Sequence, residues 1–392
     1  MRRVCLVLML IAATAIAGPA TNAGAATPIT NTHVIAVGSR FACAATSAGA
    51  VRCWGSNEQG VLGPGRPFRS SVPVTIAGLT NVRSVAAGVI PCALLRTGTV
   101  ECWGKDDNGV RGDGRAAGEG SLSPTVVTGI TNAVGLAVSD HACAVLADGT
   151  VECWGPNDKG QLGNGQFGAP SSVPVAVAGI TTAIGVSTGS QMSCALLADR
   201  PARCWGIDAH GALGTGGPAL GKSTTPVVVH AIAGAVELTT GGLTTCARLG
   251  NGNVMCWGAN LSGELGDGTR NYGRHPEPVK VQKVAHAADV SEGSVGCVAL
   301  AGGSVKCWGS NYYGTLGNGR RETTQSTAVT VERVSGAVAV ATGVLSACAV
   351  LADGRVRCWG RNDHGELGAG TFDDGTASKA VFVKGLALGK QP

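Results

Sequence analysis

The stretch Cys143-Ala144-Val145-Leu146-Ala147-Asp148-Gly149-Thr150-Val151-Glu152-Cys153-Trp154, followed by Gly155, is the clearest copy of a unit that occurs seven times in the chain. In every copy the second cysteine follows the first by ten residues and opens a Cys-Trp-Gly triplet, so that all seven tryptophans occupy one position of the repeat: 54, 103, 154, 205, 257, 308 and 359. Repetition at about 51 residues, with β-type segments and many glycines, predicts a propeller with one blade per repeat.

The unit itself predicts a β-hairpin. Two apolar, β-branched segments flank the loop Ala147-Asp148-Gly149, whose glycine suits the left-handed position of a three-residue turn. Because Cys143 and Cys153 are equally far from Asp148, they should lie opposite each other in a non-hydrogen-bonded pair, where α-carbons approach to about 4.5 Å. We expect a different turn in the fourth repeat, where Arg200 replaces the glycine.

The connection lengths predict how strands are grouped. Short segments link the Pro-Val-x-Val strand (174–177 in the third repeat) to the strand after it, whereas a long connection follows each Cys-Trp-Gly. If short links join neighbours within a sheet, a blade combines the Pro-Val-x-Val strand of one repeat with three strands of the next. The first blade would then lack a strand, and the C-terminal segment 381–384 would close the ring by pairing there. We therefore expect an all-β, seven-bladed β-propeller with four-stranded antiparallel blades.

The N-terminus has the features of a secretory signal peptide. Met1-Arg2-Arg3 precedes an apolar run of about fourteen residues and a small-residue segment that suits cleavage. We assign residues 1–25 to this signal and residues 26–392 to a single propeller. The run is short for a bilayer span, and no other stretch approaches eighteen apolar residues. The sequence thus predicts a secreted protein, extracellular or in a periplasmic or cell-wall space, without a membrane anchor.

The cysteine count supports export. Fourteen cysteines remain after the signal, all in ten-residue pairs, and an oxidising compartment would favour seven disulfides within the blades. The alternative is that they are buried thiols, as in a cytosolic propeller. The predicted disulfides are Cys43–Cys53, Cys92–Cys102, Cys143–Cys153, Cys194–Cys204, Cys246–Cys256, Cys297–Cys307 and Cys348–Cys358.

The charge of the chain indicates no particular polyanionic partner. Without Arg2 and Arg3, 28 basic residues face 25 acidic ones. We therefore expect neither a nucleic acid nor a membrane as partner, and we expect a monomer.

The repeat resembles that of a known family. The pattern Cys-Ala-Leu-Leu-Ala-Asp-Gly-Thr-Val-x-Cys-Trp-Gly-x-Asn-x-x-Gly-Gln-Leu-Gly-x-Gly looks like the repeat of the regulator of chromosome condensation family, in a secreted, cysteine-paired bacterial form, from Val34 to Lys384. The resemblance implies a seven-bladed propeller. Family members include exchange factors for nuclear small GTPases, domains of ubiquitin ligases and a secreted bacterial β-lactamase inhibitor. The signal peptide and the lack of a basic arm or wedge-like hairpin argue against nuclear roles.

Catalytic chemistry leaves little trace in the sequence. Four histidines, His141, His210, His230 and His364, fall in different positions of different repeats and are interpreted as isolated surface or turn residues. No Cys-x-x-Cys metal motif occurs, and the glycine-rich Asn-x-x-Gly-x-Leu-Gly segment leads into no helix, so we predict no metal, no cofactor and no catalytic residue. Arg111-Gly112-Asp113, which resembles an adhesion tripeptide, is attributed to drift of the repeat.

Binding is better predicted from the long connections, which a closed scaffold presents together. The two variable positions of Asn-x-x-Gly differ in every repeat, and aromatic residues, which are enriched at binding hot spots, gather in these connections. The candidate binding residues are Tyr272, Tyr312, Tyr313, Phe68, Phe167, Phe372 and His364. The alternative for each ring is packing against its own loop.

Three functions follow as hypotheses. The first is a secreted, non-catalytic scaffold whose variable loops bind an unidentified protein. The second is an inhibitor of a secreted hydrolase such as a β-lactamase. The third is a carbohydrate-binding propeller or an enzyme, which would need aromatic platforms or clustered polar side chains at a mouth of the central channel.

Overall fold

The structure, a computed structural model, describes residues 34–390 except 107, 116–117, 119–120, 200, 322–323 and 374–375. Within these residues, 28 strands form seven four-stranded antiparallel sheets, and one short 3-10 helix, Ala209–Gly211, is present. The chain is therefore the all-β, seven-bladed propeller that the repeats predict. The proposed signal peptide, residues 1–25, and the unusual turn at Arg200 lie outside the described residues.

Each blade consists of four consecutive strands. The first three blades contain β1 Ile35–Val37, β2 Phe41–Ala45, β3 Val51–Ser56, β4 Arg69–Thr75; β5 Val82–Ala87, β6 Pro91–Leu95, β7 Val100–Gly104, β8 Ser121–Val126; β9 Ala133–Val138, β10 Ala142–Leu146, β11 Val151–Asn157, β12 Gly168–Ala176. The fourth and fifth contain β13 Ala183–Thr188, β14 Met192–Leu197, β15 Ala202–Ile207, β16 Lys222–Val228; β17 Ala235–Gly241, β18 Thr244–Leu249, β19 Val254–Gly258, β20 Val279–Lys280. The sixth and seventh contain β21 Ala287–Glu292, β22 Val295–Leu300, β23 Val305–Gly309, β24 Gln325–Thr330; β25 Ala337–Thr342, β26 Ser346–Leu351, β27 Val356–Arg361, β28 Thr376–Phe382.

The strand order gives the ring two distinct faces. The first strand of each blade lines the central channel, and successive strands lie farther from it in antiparallel order. As a result, the turns between first and second strands and the long connections between third and fourth strands lie at one end of the ring, here called the loop face. The hairpin turns between second and third strands lie at the opposite end, the hairpin face.

The hairpin register is the predicted one. Cys143 pairs with Cys153 across β10 and β11, and Gly149 occupies the left-handed region with a φ of 83°. Each of the seven blades contains a disulfide between the cysteines ten residues apart, with Cα–Cα distances of 4.0 to 4.1 Å across the seven bonds. Such short spacing suits the close, non-hydrogen-bonded pair of an antiparallel ladder.

Neighbouring blades are joined by a repeated tryptophan contact. All seven indoles are buried. Each donates its N–H to a backbone carbonyl in the long connection of the preceding blade, so that no buried indole N–H lacks an acceptor. The indole donors and carbonyl acceptors are Trp54 and Glu366, Trp103 and Val61, Trp154 and Val110, Trp205 and Gln161, Trp257 and Ala212, Trp308 and Glu264, and Trp359 and Thr315.

The predicted grouping of strands and closure of the ring are wrong. The Pro-Val-x-Val strand stays in the blade of its own repeat, and the C-terminal strand β28 pairs with β27 of the seventh blade rather than with the first blade. The short link 177–182 does not join sheet neighbours, because it crosses the end of its own blade on the hairpin face. There the Val177 N–H donates to the Val151 carbonyl and the Ala183 N–H donates to the Gly149 carbonyl.

Ring closure instead comes from packing and single hydrogen bonds. Ile35 and Trp54 of the first blade share a hydrophobic cluster with Val356 and Leu367 of the seventh. The Arg52 Nη1 group donates to the carbonyl of Gly385 over 2.7 Å. Closure therefore uses the same side-chain contacts as the other blade junctions, with no exchanged strand.

Candidate functional site

The long connections are fixed by the Asn-x-x-Gly-x-Leu-Gly motif. In the seventh blade the buried Asn362 side chain accepts a hydrogen bond from the Leu367 N–H over 3.1 Å, and Leu367 is fully buried. Gly368 has a φ of 64°, and a side chain there would strike the Trp54 indole at about 3.0 Å. The motif therefore anchors the connection and leaves the partly exposed Asp363 and His364 on the loop face.

The predicted binding residues are largely available on the surface. The six tyrosine and phenylalanine side chains are between 40% and 84% exposed, and His364 is half-buried. They do not form one site. Phe167 of the third blade and Tyr272 of the fifth lie apart, whereas the others gather where the sixth, seventh and first blades meet.

This gathering, here called the aromatic cluster, comprises Phe68, Tyr312, Tyr313, His364 and Phe372. The rings of Phe68 and His364 are 6.2 Å apart between centroids, although the two residues belong to the first and seventh blades. Tyr312 is adjacent to Tyr313 in the connection of the sixth blade and is exposed. The cluster thus spans three consecutive connections on the loop face.

Two arginines hold the rings of the cluster. The Arg69 guanidinium lies 4.4 Å from the centroid of the Phe372 ring, and that of Arg361 lies 5.5 Å from the Tyr313 ring. Cations at such distances over an aromatic face are attracted by the ring quadrupole. Arg69 also donates to the backbone carbonyl of Asp363 over 2.5 Å, which ties the first blade to the seventh.

Sequence reasoning missed these arginines and the acidic residues beside them. Arg361 donates from Nε to Asp363 Oδ1 over 2.5 Å and from Nη2 to Oδ2. The fully buried Glu366 accepts the His364 N–H through Oε2 over 2.9 Å. A signal for Asp363 existed, because it is one of the two variable positions of the motif, but nothing marked Arg69 as a neighbour from another repeat.

The pKa values of Asp363 and Glu366 are shifted in opposite directions. Burial favours the neutral acid of Asp363, but hydrogen bonds from Arg361 and His364 outweigh it and hold its pKa well below the usual range. Burial raises the pKa of Glu366, and the nearby charge of Asp363 adds to that rise. His364 Nδ1 lies 3.1 Å from Asp363 Oδ1 and 3.5 Å from Glu366 Oε1. Asp363, His364 and Glu366 are therefore the described side chains whose geometry could hold a metal ion.

One histidine departs from its interpretation as a surface or turn residue. His141 is fully buried, and its Nε2 lies 2.5 Å from the hydroxyl of buried Ser193. Its position in the repeat is apolar in four other blades, as at Ile90 and Met192, and is Thr244 or Ser346 in the remaining two. The pair resembles a nucleophile and base, yet His141 Nδ1 has no hydrogen-bond partner to orient the ring, and burial lowers its pKa to about 3. We interpret the pair as a buried polar contact between blades.

Arg111 is also buried, with its Nε bonded to Asp113 over 2.7 Å. It occupies the position of the leucine anchor in the second blade. The Arg111-Gly112-Asp113 segment therefore does not present an accessible arginine.

The central channel offers a further cavity, of about 330 Å³, lined by the first strands of all seven blades. Among the described residues that line it, none is aromatic, and serine and threonine residues of six blades stand among the aliphatic ones. Asp140 and Glu292 are its carboxyl groups, and burial raises the pKa of both. Aromatic platforms for a sugar are therefore lacking in the described channel wall, although polar groups are present.

The fold and its repeats define a seven-bladed β-propeller of a recognisable kind. Models of the Regulator of chromosome condensation (RCC1) repeat match residues 33–61 and 337–366 in one form, and residues 48–93 and 148–196 in another. The chain therefore carries RCC1 repeats, and the matched residues fall in its first, second, third, fourth and seventh blades.

Curated relatives share part of the chain. The E3 ubiquitin-protein ligase HERC2 of Homo sapiens is 31% identical over 246 residues, which are 60% of this chain but 5% of that protein. The ultraviolet-B receptor UVR8 of Arabidopsis thaliana is 26% identical over 60% of this chain and 54% of its own length. The chain thus spans only a small part of the ligase it matches.

Solved structures show the same fold. Prp20p of Saccharomyces cerevisiae superposes with a TM-score of 0.74 at 18% identity, covering 91% of this chain and 88% of that one. Human WBSCR16 superposes with a TM-score of 0.71 at 22% identity, covering 80% and 86%. The Prp20p structure was described together with its binding to Gsp1p and histones. Among the described residues, no helix has the length and apolar character that a membrane span requires.

Proposed function

We propose that this chain is an exported, non-catalytic scaffold that binds a protein partner through the aromatic cluster on the loop face. The observation that carries the proposal is the convergence of Phe68, Tyr313, His364 and Phe372 from three blades, with Arg69 and Arg361 held against two of the rings. Tyrosine, other aromatic residues and arginine are the residue types enriched at the centres of protein interfaces.

The surroundings of the cluster favour binding with little loss of flexibility. Disulfides and buried indole contacts fix the blades beneath it, and Arg361 is held by two hydrogen bonds to Asp363. A surface that is ordered before association loses less conformational entropy on binding. The exposed rings would also lose contact with water, which contributes favourable free energy.

The comparisons support the class of function and not the partner. Prp20p is a propeller of the same fold whose structure was reported with its binding to Gsp1p and histones. We infer that this chain likewise binds protein, and the partner remains to be identified. Seven disulfides are consistent with the oxidising compartment that the predicted signal peptide implies. Inhibition of a secreted hydrolase, such as a β-lactamase, would be one form of this binding.

The proposal is tested by quantitative capture. Disulfide-intact protein is immobilised and exposed to extracellular proteins of the source organism and to purified β-lactamases, and recovery is measured by mass spectrometry. The cluster variant carries Phe68→Ala and Tyr313→Ala. The matched control carries Phe167→Ala and Tyr272→Ala, which remove one exposed phenylalanine and one exposed tyrosine ring outside the cluster.

We expect at least one protein to bind the wild type and the control equally and the cluster variant at least tenfold less. The proposal is wrong if every captured protein binds the cluster variant as well as the wild type. It is also wrong if cluster and control variants lose binding to the same extent. Inhibition of a captured hydrolase would identify the partner class.

A further inference from the structure

The same four positions of the long connection make different contacts in the third and seventh blades. The third blade has Asp158-Lys159-Gly160-Gln161, and the seventh has Asp363-His364-Gly365-Glu366. In the third blade, Gln161 Oε1 accepts the Lys159 N–H over 2.8 Å, and the other end of its amide, Nε2, donates to Asp158 Oδ1 over 3.2 Å. Lys159 also donates to the same aspartate. All polar groups of this loop therefore have partners that match their charge.

In the seventh blade the fourth side chain still accepts the backbone N–H of the second residue, here called the capping contact, but the other contacts differ. Glu366 Oε2 accepts the His364 N–H, as Gln161 does in the third blade. The second carboxyl oxygen, Oε1, replaces an amide donor and has no hydrogen-bond partner. His364 Nδ1 lies 3.1 Å from Asp363 Oδ1, an oxygen that also accepts a hydrogen bond from Arg361. Glu366 is only 1% exposed. Two carboxyl groups and an imidazole nitrogen thus face one another where the third blade places a donor.

Capping of the loop does not by itself explain this arrangement. In the fifth blade, Glu264 occupies the same position and accepts the Ser262 N–H over 2.7 Å, but Leu261 stands where the seventh blade has Asp363. A glutamate without the neighbouring aspartate and histidine therefore serves only to accept the backbone N–H of its loop. Within the described residues, the combination of aspartate, histidine and glutamate ligand atoms within 4.8 Å of one another occurs at Asp363, His364 and Glu366.

The distances agree with tetrahedral coordination. Zinc binds imidazole nitrogen and carboxylate oxygen at about 2.0 to 2.2 Å, so adjacent ligand atoms of a tetrahedral site lie roughly 3.3 to 3.6 Å apart. His364 Nδ1 is 3.5 Å from Glu366 Oε1, within this range, and 3.1 Å from Asp363 Oδ1, slightly below it. We propose that Asp363, His364 and Glu366 bind a divalent transition-metal ion of the zinc class, with a fourth position open toward the loop face.

Charge and access fit the proposal. Arg361 pairs with the Asp363 carboxylate and Arg69 binds the Asp363 backbone carbonyl, so the charge that a divalent cation would compensate is that of Glu366, whose Oε1 has no hydrogen-bond partner. Arg361 acts as a positioning residue, because its two hydrogen bonds fix the Asp363 carboxylate. The side chains of Asp363 and His364 are 34% and 14% exposed, which gives an ion a route from solvent. The site shares His364 with the aromatic cluster but does not depend on the proposed partner binding.

The test is zinc titration of tag-free, disulfide-intact protein after treatment with a chelator, by calorimetry and by metal analysis after dialysis. We expect one zinc ion per chain. Glu366→Gln should weaken binding at least tenfold while preserving the cap, because Gln161 caps the third blade in the same way. His364→Lys, which also copies the third blade, should do the same. Circular dichroism in chelator should show that both variants remain folded.

A variant that adds a second metal site tests the proposal without removing any ligand of the first site. Lys159→His with Gln161→Glu rebuilds the set of the seventh blade in the third blade, next to Asp158. We expect its stoichiometry to rise from one zinc ion to two. The proposal is overturned if the wild type binds no stoichiometric zinc, or if Glu366→Gln binds it as tightly as the wild type. In that case Glu366 is a protonated cap hydrogen-bonded to Asp363.

Discussion

The indole N–H of Trp54 donates a hydrogen bond to the backbone carbonyl of Glu366 over 2.8 Å. The two residues are 312 positions apart in the chain, and the contact joins the first blade to the last. Six equivalent bonds join the other pairs of neighbouring blades. The junction that closes the ring therefore has the same indole hydrogen bond as the internal junctions.

Replacement of this tryptophan tests closure by side-chain contact. Trp54→Phe keeps most of the apolar volume but leaves the buried Glu366 carbonyl without its donor, which should lower the free energy of unfolding by about 1 to 3 kcal/mol. The measurement is chemical denaturation. Trp103→Phe, at an internal junction with the equivalent bond to Val61, is the control and should cost a similar amount. A negligible effect at Trp54 beside a clear effect at Trp103 would show that closure does not depend on this contact.

The disulfides can be tested one blade at a time. Replacing Cys143 and Cys153 together with alanine should destabilise the protein by up to about 2 to 3 kcal/mol, the chain-entropy value for so short a loop. The hydrogen-bonded hairpin limits the loss, since it is partly ordered without the bond. The midpoint of thermal unfolding measures the effect, with the remaining six disulfides counted by intact mass. Equal stability of the variant and the wild type would show that the hairpin needs no covalent link.

His141 should make the protein sensitive to acid. Burial lowers its pKa to about 3 in the folded state, whereas an unfolded histidine titrates near 6.5. The unfolded state therefore binds more protons below pH 6.5, and this contribution to stability is present above that pH and declines as the pH falls toward 3. At pH 5 the loss should be about 2 kcal/mol.

The matched variant is His141→Met, because Met192 holds the equivalent buried position in the next blade. Ser193 keeps its bond to the Gln161 carbonyl in this variant. The difference in unfolding free energy between pH 7 and pH 5 should be smaller than in the wild type by about 2 kcal/mol. The same pH dependence in both proteins would contradict the assignment of acid sensitivity to His141.

The repeated features of the fold could be predicted from the sequence. The ten-residue spacing around Asp148 determines the pairing of Cys143 with Cys153, and Gly149 takes the predicted left-handed conformation. These features depend on local geometry, so one copy of the repeat is sufficient to derive them.

Features that depend on contacts between blades could not be predicted from the sequence. The link 177–182 is short, but length does not reveal that it crosses a blade end and leads to the next blade. The aromatic residues of the connections were visible, whereas their partition into a cluster was not, because Arg69 and Phe372 meet only when the ring closes. His141 was misjudged because its burial depends on Ser193 of the next repeat.

The central claim, that the loop face at the sixth, seventh and first blades binds a protein, is tested most directly by hydrogen–deuterium exchange of the chain with its captured partner. We predict slower amide exchange in the connections 57–68, 310–321 and 361–373, with the hairpin-face turns unchanged. Protection of the hairpin turns instead, with no change in these three connections, would contradict the account.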